Sequence, residues 1–168
     1  MTVHSEHPFL PPEGERSTVR RLRGRWPSGV AVVTTGSGRE RTGLTVSSLL
    51  VVDGEPGVVL VMLDPLSDLA EALADGVPCV VNLLASPHRD LAEAFAGVAP
   101  APGGPFTLGV WRDGDHGPEL TDAAAVARCR VAVVADHETG WSVRHELTIE
   151  SASLTDVPTL RHERGGYH

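Results

Sequence analysis

Three short runs rich in β-branched residues follow one another at turn distance, and that succession favours an antiparallel sheet over other folds. GVAVVTT (29–35) stops at the turn signal GSGRE, and TGLTVSSLLVVD (42–53) stops at DGEPG. GVVLVML (57–63) is the third. The first two predict a hairpin, and all three predict an antiparallel meander. VPCVVNLLA (77–85) reads as a buried strand, and FTLGVWRD, AVARCRVAVVADHE and WSVRHELTIESASL are strand-like again. In the last of these, Val143, His145, Leu147 and Ile149 share one face, with Arg144, Glu146, Thr148 and Glu150 opposite. After Glu150 the apolar parity passes to Ala152 and Leu154, which predicts a β-bulge.

Helical patterns are few. Val19, Leu22 and Trp26 recur at helical spacing within 16–26 and predict a short amphipathic helix lying against a sheet. LSDLAEALADG (66–76) reads as a helix capped by Ser67 and ended by Gly76. SPHRDLAEAFAG (86–97) is the clearest, with Ser86 as cap, Pro87 at its first position and Gly97 as terminator. VAPAPGGPF (98–106) is a loop. These helices do not alternate with the strands, so a doubly wound parallel sheet is disfavoured. The expected fold is mainly β: a closed or partly closed barrel of six or seven antiparallel strands with two or three peripheral helices. Residues 1–15, with three prolines and no periodicity, read as a flexible arm ahead of a single domain over 16–168.

Composition narrows the function. The 14 basic and 22 acidic residues leave a net charge of −8, and aromatics make up 4%, which argues against a nucleic-acid binder. The densest basic stretch, Arg20 to Arg25, reads as the solvated face of a short helix. No apolar run approaches the ~20 residues of a membrane helix, and the first residues lack a signal-peptide pattern. A cytoplasmic protein is expected. Cys79 and Cys129 lie in apolar runs and read as buried thiols of a reducing compartment.

The usual catalytic constellations are missing from the sequence. The eight histidines are scattered without zinc spacing, so no metal site is expected. There is no GxSxG, and GSG at 36–38 sits in a hairpin turn and opens no helix. Two features remain. His145 lies on the apolar face of a strand, either as a satisfied core residue or as a group facing a ligand inside the barrel. Thr45, Ser47 and Ser48 place hydroxyls in a stretch otherwise fit for burial. They bond either within the sheet or to a ligand rich in acceptors.

Taken in order, WPSGVAVVTT, RTGLTVSSLLVV, EPGVVLVML, VPCVVNLLASPHRDLAEAFAG, ARCRVAVV, VRHELTIESASL and PTLRHERGGYH resemble the flavin reductase-like, FMN-binding split-barrel family. That family includes the reductase components of two-component flavin monooxygenases. The resemblance runs from about residue 20 to 168. It implies a homodimer with FMN or FAD at or near the subunit interface, and hydride transfer from NADH or NADPH to flavin. A flavin-dependent monooxygenase receiving the reduced flavin is an implied partner. Thr45, Val46, Ser47 and Ser48 match the stretch contacting the flavin ring and ribityl chain. Asp64 and Ser67 fall in the phosphate-contacting stretch. Ala85, Ser86 and His88 match a loop near the flavin. His145 matches a histidine on the nicotinamide side, a secondary contributor to catalysis, and Tyr167 falls in a G-x-Y-like ending.

One departure bears on the cofactor. Where the family commonly carries a Ser-Arg-Thr-like run, this chain has Ser67, Asp68 and Leu69, exchanging a cation for a carboxylate. An aspartate ~4 Å from a phosphate charge costs about 1 to 4 kcal/mol per pair. Arg41 or Arg89 would compensate, or flavin is held weakly as a released substrate. The alternatives are a non-enzymatic flavin- or ligand-binding split barrel, and a flavin- or deazaflavin-dependent enzyme acting on an organic substrate.

Overall fold

The computed structural model describes Gly14 and residues 17–168. The proposed arm over 1–15 lies, Gly14 apart, outside the described residues. Helix α1 (Thr18–Arg25) leads into strands β1 (Ser28–Gly29), β2 (Ala31–Thr35), β3 (Thr42–Val46), β4 (Leu49–Val52) and β5 (Val58–Leu63). Helix α2 (Asp68–Ala72), strand β6 (Pro78–Leu83) and helix α3 (Arg89–Phe95) come next. The rest is β7 (Trp111–Gly114), β8 (Gly117–Leu120), β9 (Ala125–Thr139), β10 (Ser142–Leu154), β11 (Arg161–Glu163) and β12 (Gly166–Tyr167).

Seven strands form one antiparallel sheet in the order β3-β2-β6-β9-β10-β5-β4. The expected hairpin is there: β2 pairs with β3 from Ala31↔Val46 to Thr35↔Thr42. The expected meander is not. The run 42–53 breaks at Ser47 and Ser48, and its halves go to opposite edges of the sheet, β3 beside β2 and β4 beside β5. The sheet curls into a half-barrel, and these two serines span its seam. A continuous apolar run conceals such a break, because each half keeps its own alternation.

The curled sheet encloses one core and carries a second outside. Val33, Val46, Val61, Leu63, Val131 and Leu147 fill the interior, joined by Leu69 of α2 and Leu73 just after it. On the opposite face, Val32 and Val80 pack under Leu91, Ala92 and Phe95 of α3. Gly43 makes that second contact close. A Cβ there would sit 2.9 Å from Phe95 Cε1. Asn82 is fully buried but satisfied, donating to Val32 O at 3.1 Å and accepting from Leu120 N–H at 2.8 Å. It thereby fixes β8, a strand whose Pro118 hides it in the sequence.

The bulge expected after Glu150 is present as a register shift between Ile149 and Ser151. Other local expectations shift. Helix α2 ends at Ala72, short of Gly76. Ser86 does not cap a helix. It opens a 3-10 turn (Ser86–His88), and its hydroxyl donates toward Pro158 O and Thr159 O at 3.3 and 3.4 Å. Helix α1 does not lie against the sheet. It has no buried residue, and Trp26 is 74% exposed. The Arg164 N–H donates to Gly24 O at 2.5 Å and ties the helix to the chain's last hairpin. Its arginines face solvent, as the sequence predicts.

Candidate functional site

The seam assembles the site. Val46, Ala31 and Leu83 stand in one cross-strand row, so Ser47 and Ser48 leave the sheet at the same end as Leu84 and Ala85. On the other side of the seam, Ser48 O accepts from Met62 N–H at 3.0 Å and the Ser48 hydroxyl donates to Met62 O at 3.3 Å. That pairing sets the end of β5, and therefore Asp64 to Ser67, beside the serines. Three of the sequence-predicted segments, 45–48, 64–67 and 85–88, are thus gathered around one corner of the half-barrel.

Within that corner the side chains divide by task. The Thr45 hydroxyl donates to Ala92 O at 2.7 Å and is committed to α3. Val46 is buried in the barrel. Ser47 is half-buried, and neither its hydroxyl nor its amide has a hydrogen-bond partner among the described residues. It is the free donor at the seam. Asp64 folds its own turn: Oδ1 accepts from Leu66 N–H at 2.9 Å, while its carbonyl accepts from the Ser67 hydroxyl at 2.7 Å. Ser67 caps α2 as expected, accepting from Ala70 N–H at 3.2 Å.

The segment 85–88 is braced on two sides. Ser86 N–H donates to Pro158 O at 2.8 Å, and Leu160 N–H donates to Leu84 O at 2.8 Å. His88 Nδ1 accepts from Ala85 N–H at 3.1 Å, and its Nε2 lies 3.1 Å from Asp122 Oδ2. Sequence reading missed Asp122, which stands in a turn with no local signal of a histidine partner.

His145 stands on β10, two strands in from the β4 edge. It is 1% exposed and points into the barrel, in the row Leu49–Val61–His145. Its Nδ1 is 3.4 Å from Val143 O, and its Nε2 has no partner among the described residues. Burial lowers its pKa against smaller opposing effects of the Val143 and Ala70 backbones, so the neutral ring is favoured. Tyr167 packs against the outer core with its ring 5.3 Å from that of His162. Burial raises its pKa. Arg41 stacks 4.6 Å over the Phe106 ring, and Arg89 pairs with Glu93 at 3.0 Å.

Both cysteines are buried and unpaired, facing each other across β6 and β9. Burial pushes both thiols up, Cys129 to about 12, so neither is a poised nucleophile. No group of three or more His, Cys, Asp or Glu among the described residues is arranged to hold a metal ion.

The chain belongs to the flavin reductase-like domain family, whose description matches residues 23–168. An NADH-dependent FMN reductase of Streptomyces nodosus subsp. asukaensis is 44% identical over 61 residues, which is 36% of this chain and 33% of that protein. Among solved structures, an NADH:FAD oxidoreductase of Streptomyces globisporus superposes with a TM-score of 0.80 at 24% identity, covering 95% of both chains. That oxidoreductase has also been solved in complex with NAD and FAD fragments. The styrene monooxygenase flavin reductase of Pseudomonas putida superposes with a TM-score of 0.77 at 20% identity, covering 90% of this chain and 96% of the other.

Proposed function

We propose that this protein is an NAD(P)H-dependent flavin reductase that takes FMN or FAD as a substrate and releases it reduced to a flavin-dependent monooxygenase. The observation that carries this reading is the unpaired donor set of Ser47 at the seam, flanked by the segments 64–67 and 85–88. A flavin ring edge offers the acceptors that such donors lack. Flavin supplies the redox chemistry. The chain's part is to orient it: Ser47 donates, Thr45 fixes β3 to α3, and the braced segment 85–88 forms a wall. His145, enclosed in the barrel with its Nε2 unpartnered among the described residues, is the proposed secondary contributor on the nicotinamide side. Structural neighbours named as the flavin reductases of a styrene monooxygenase and a tryptophan halogenase, and one named as component B of a nitrilotriacetate monooxygenase, support the partner class.

The electrostatics favour release over retention. Asp64 and Asp68 border the phosphate-contacting stretch, while Arg41 and Arg89 are engaged elsewhere. A doubly charged phosphate there gains little, which suits a flavin that leaves after reduction.

The same reading includes a homodimer. Strand β5 is apolar on both faces. Val59, Val61 and Leu63 are buried inside the barrel, while Val58, Leu60 and Met62 face outward. Leu50 and Val52 extend that outer face across β4, and Leu50 is 61% exposed. A strand apolar on both faces is one covered on both faces, and a second copy supplies the cover. The two enclosed thiols fit a reducing, cytoplasmic setting.

The test is titration of the purified protein with FMN and FAD, then addition of NADH or NADPH with absorbance read at the nicotinamide band. Saturable binding with flavin-dependent loss of the nicotinamide supports a reductase. Flavin binding without nicotinamide loss assigns the chain to non-enzymatic binding, and no binding of either flavin removes the cofactor.

A further inference from the structure

We infer that His88 is a positioning residue that holds the segment Ala85–His88 in its flavin-facing shape through one tautomer, without itself contacting flavin. The inference rests on the proposed flavin site and adds to it how one wall of that site is held.

Both ring nitrogens already have protein partners. The Ala85 N–H donates to Nδ1 at 3.1 Å, so Nδ1 carries no proton. The proton therefore resides on Nε2, which faces Asp122 Oδ2 at 3.1 Å and donates to it. The His88 side chain is only 11% exposed, whereas Asp122 is 66% exposed. The imidazole thus works as an inner brace. It closes the 3-10 turn onto itself and joins that turn to the loop between β8 and β9. On the opposite side, the backbone bridge Ala85↔Thr159 and the Ser86 bonds hold the same segment to residues 158–159. Without the ring, the segment is attached on one side only.

The direction of the turn also sets the direction of α3. That helix begins at Arg89, and its Ala92 carbonyl receives the Thr45 hydroxyl next to the seam. His88 therefore connects the wall formed by 85–88 to the strand that leads into Ser47. A glutamine side chain offers the same pair of functions on one flat group, an acceptor for Ala85 and a donor for Asp122. An alanine offers neither.

The experiment compares wild type, His88→Ala and His88→Gln for flavin Kd, kcat at saturating flavin and KM for flavin. It adds 15N shifts of the imidazole and hydrogen exchange of the Ala85 amide, both read without flavin. The wild-type ring is expected as the Nε2–H tautomer with a protected Ala85 amide. His88→Ala should raise Kd and KM for flavin by about three- to tenfold, with kcat within about twofold. His88→Gln should restore affinity and amide protection. An Nδ1–H tautomer, or flavin affinity unchanged in His88→Ala, overturns the brace. A loss of kcat that glutamine does not rescue assigns His88 to the chemistry instead. A wild-type protein that binds neither flavin overturns the functional reading, and the tautomer and exchange data tell that failure from failure of the brace.

Discussion

Val46 ends one edge strand of the seven-stranded sheet and Leu49 begins the other, with only Ser47 and Ser48 between them. The two serines have different duties. Ser48 is bonded to Met62 on both its carbonyl and its hydroxyl, whereas Ser47 has no partner among the described residues. Ser47→Ala should therefore weaken flavin binding by about three- to tenfold and leave the melting temperature nearly unchanged. Fluorescence titration beside a thermal melt checks both halves.

Gly43 should tolerate no side chain. The added methyl of Gly43→Ala meets Phe95 Cε1 at 2.9 Å and Thr34 Cγ2 at 3.1 Å, both on buried side chains. The expected loss is about 1–3 kcal/mol in urea denaturation. Gly24, with nothing within 4 Å of its notional Cβ, is the control.

Asp68 should act as a weakener of flavin affinity. It opens α2 after Ser67, in the stretch proposed to contact the phosphate, while Arg41 stacks on Phe106 and Arg89 pairs with Glu93. Asp68→Asn should tighten FMN binding by about two- to tenfold at low ionic strength, the gain shrinking as salt rises. A titration at two salt concentrations decides it. An unchanged Kd would place the phosphate elsewhere.

Glu119 gives the fold an acid-sensitive pin. Its side chain is 5% exposed, bonded to Arg128 Nε at 2.5 Å and Nη2 at 2.7 Å, and to Arg112 as well. The Arg128 hydrogen bonds, ahead of burial, which opposes them, hold its carboxyl below the usual value of 4.5. A depressed carboxylate pKa adds stability that is complete above the unfolded value of about 4.3. That stability is lost as pH falls through the folded value. Glu119→Gln should cost about 2 kcal/mol at pH 7 and flatten the stability profile below about pH 4.5. Urea midpoints across that range provide the check.

The outer face of β5 should govern assembly. Leu50→Lys together with Val52→Lys leaves β4 paired to β5 while placing charge on the exposed apolar face. Light scattering should report a dimer for wild type and a monomer for the double variant, and flavin affinity should fall with the dimer. A wild-type monomer would refute the assembly.

Much of the fold was legible in residue patterns. Alternation along Val143, His145, Leu147 and Ile149 gives the buried face of β10, and the parity change after Glu150 gives its bulge. Ser67 reads as a cap because a hydroxyl before a helical run has one obvious use. The seam was not legible, since TGLTVSSLLVVD keeps its apolar character across the break and nothing local says that two edges diverge there. The pairing of His88 with Asp122 escaped for a related reason: it joins residues that only the β6–β9 pairing brings near. The exposed face of α1 escaped because periodicity reports that a helix has an apolar side without saying what covers it.

The sheet order also sets a sequence of assembly. The hairpins β2–β3 and β4–β5 join neighbours along the chain, so each closes a short loop. They are brought into one sheet only through β6, β9 and β10, whose partners in β2 and β5 lie far away in sequence, as with Val32↔Asn82 and His145↔Val61. Loop closure of that length is slow and entropically costly. Until β10 takes hold of β5, the two residues between β3 and β4 are an ordinary flexible link. The corner that would receive flavin thus exists only once β10 has paired with β5, and a chain lacking that pairing has no such corner to offer.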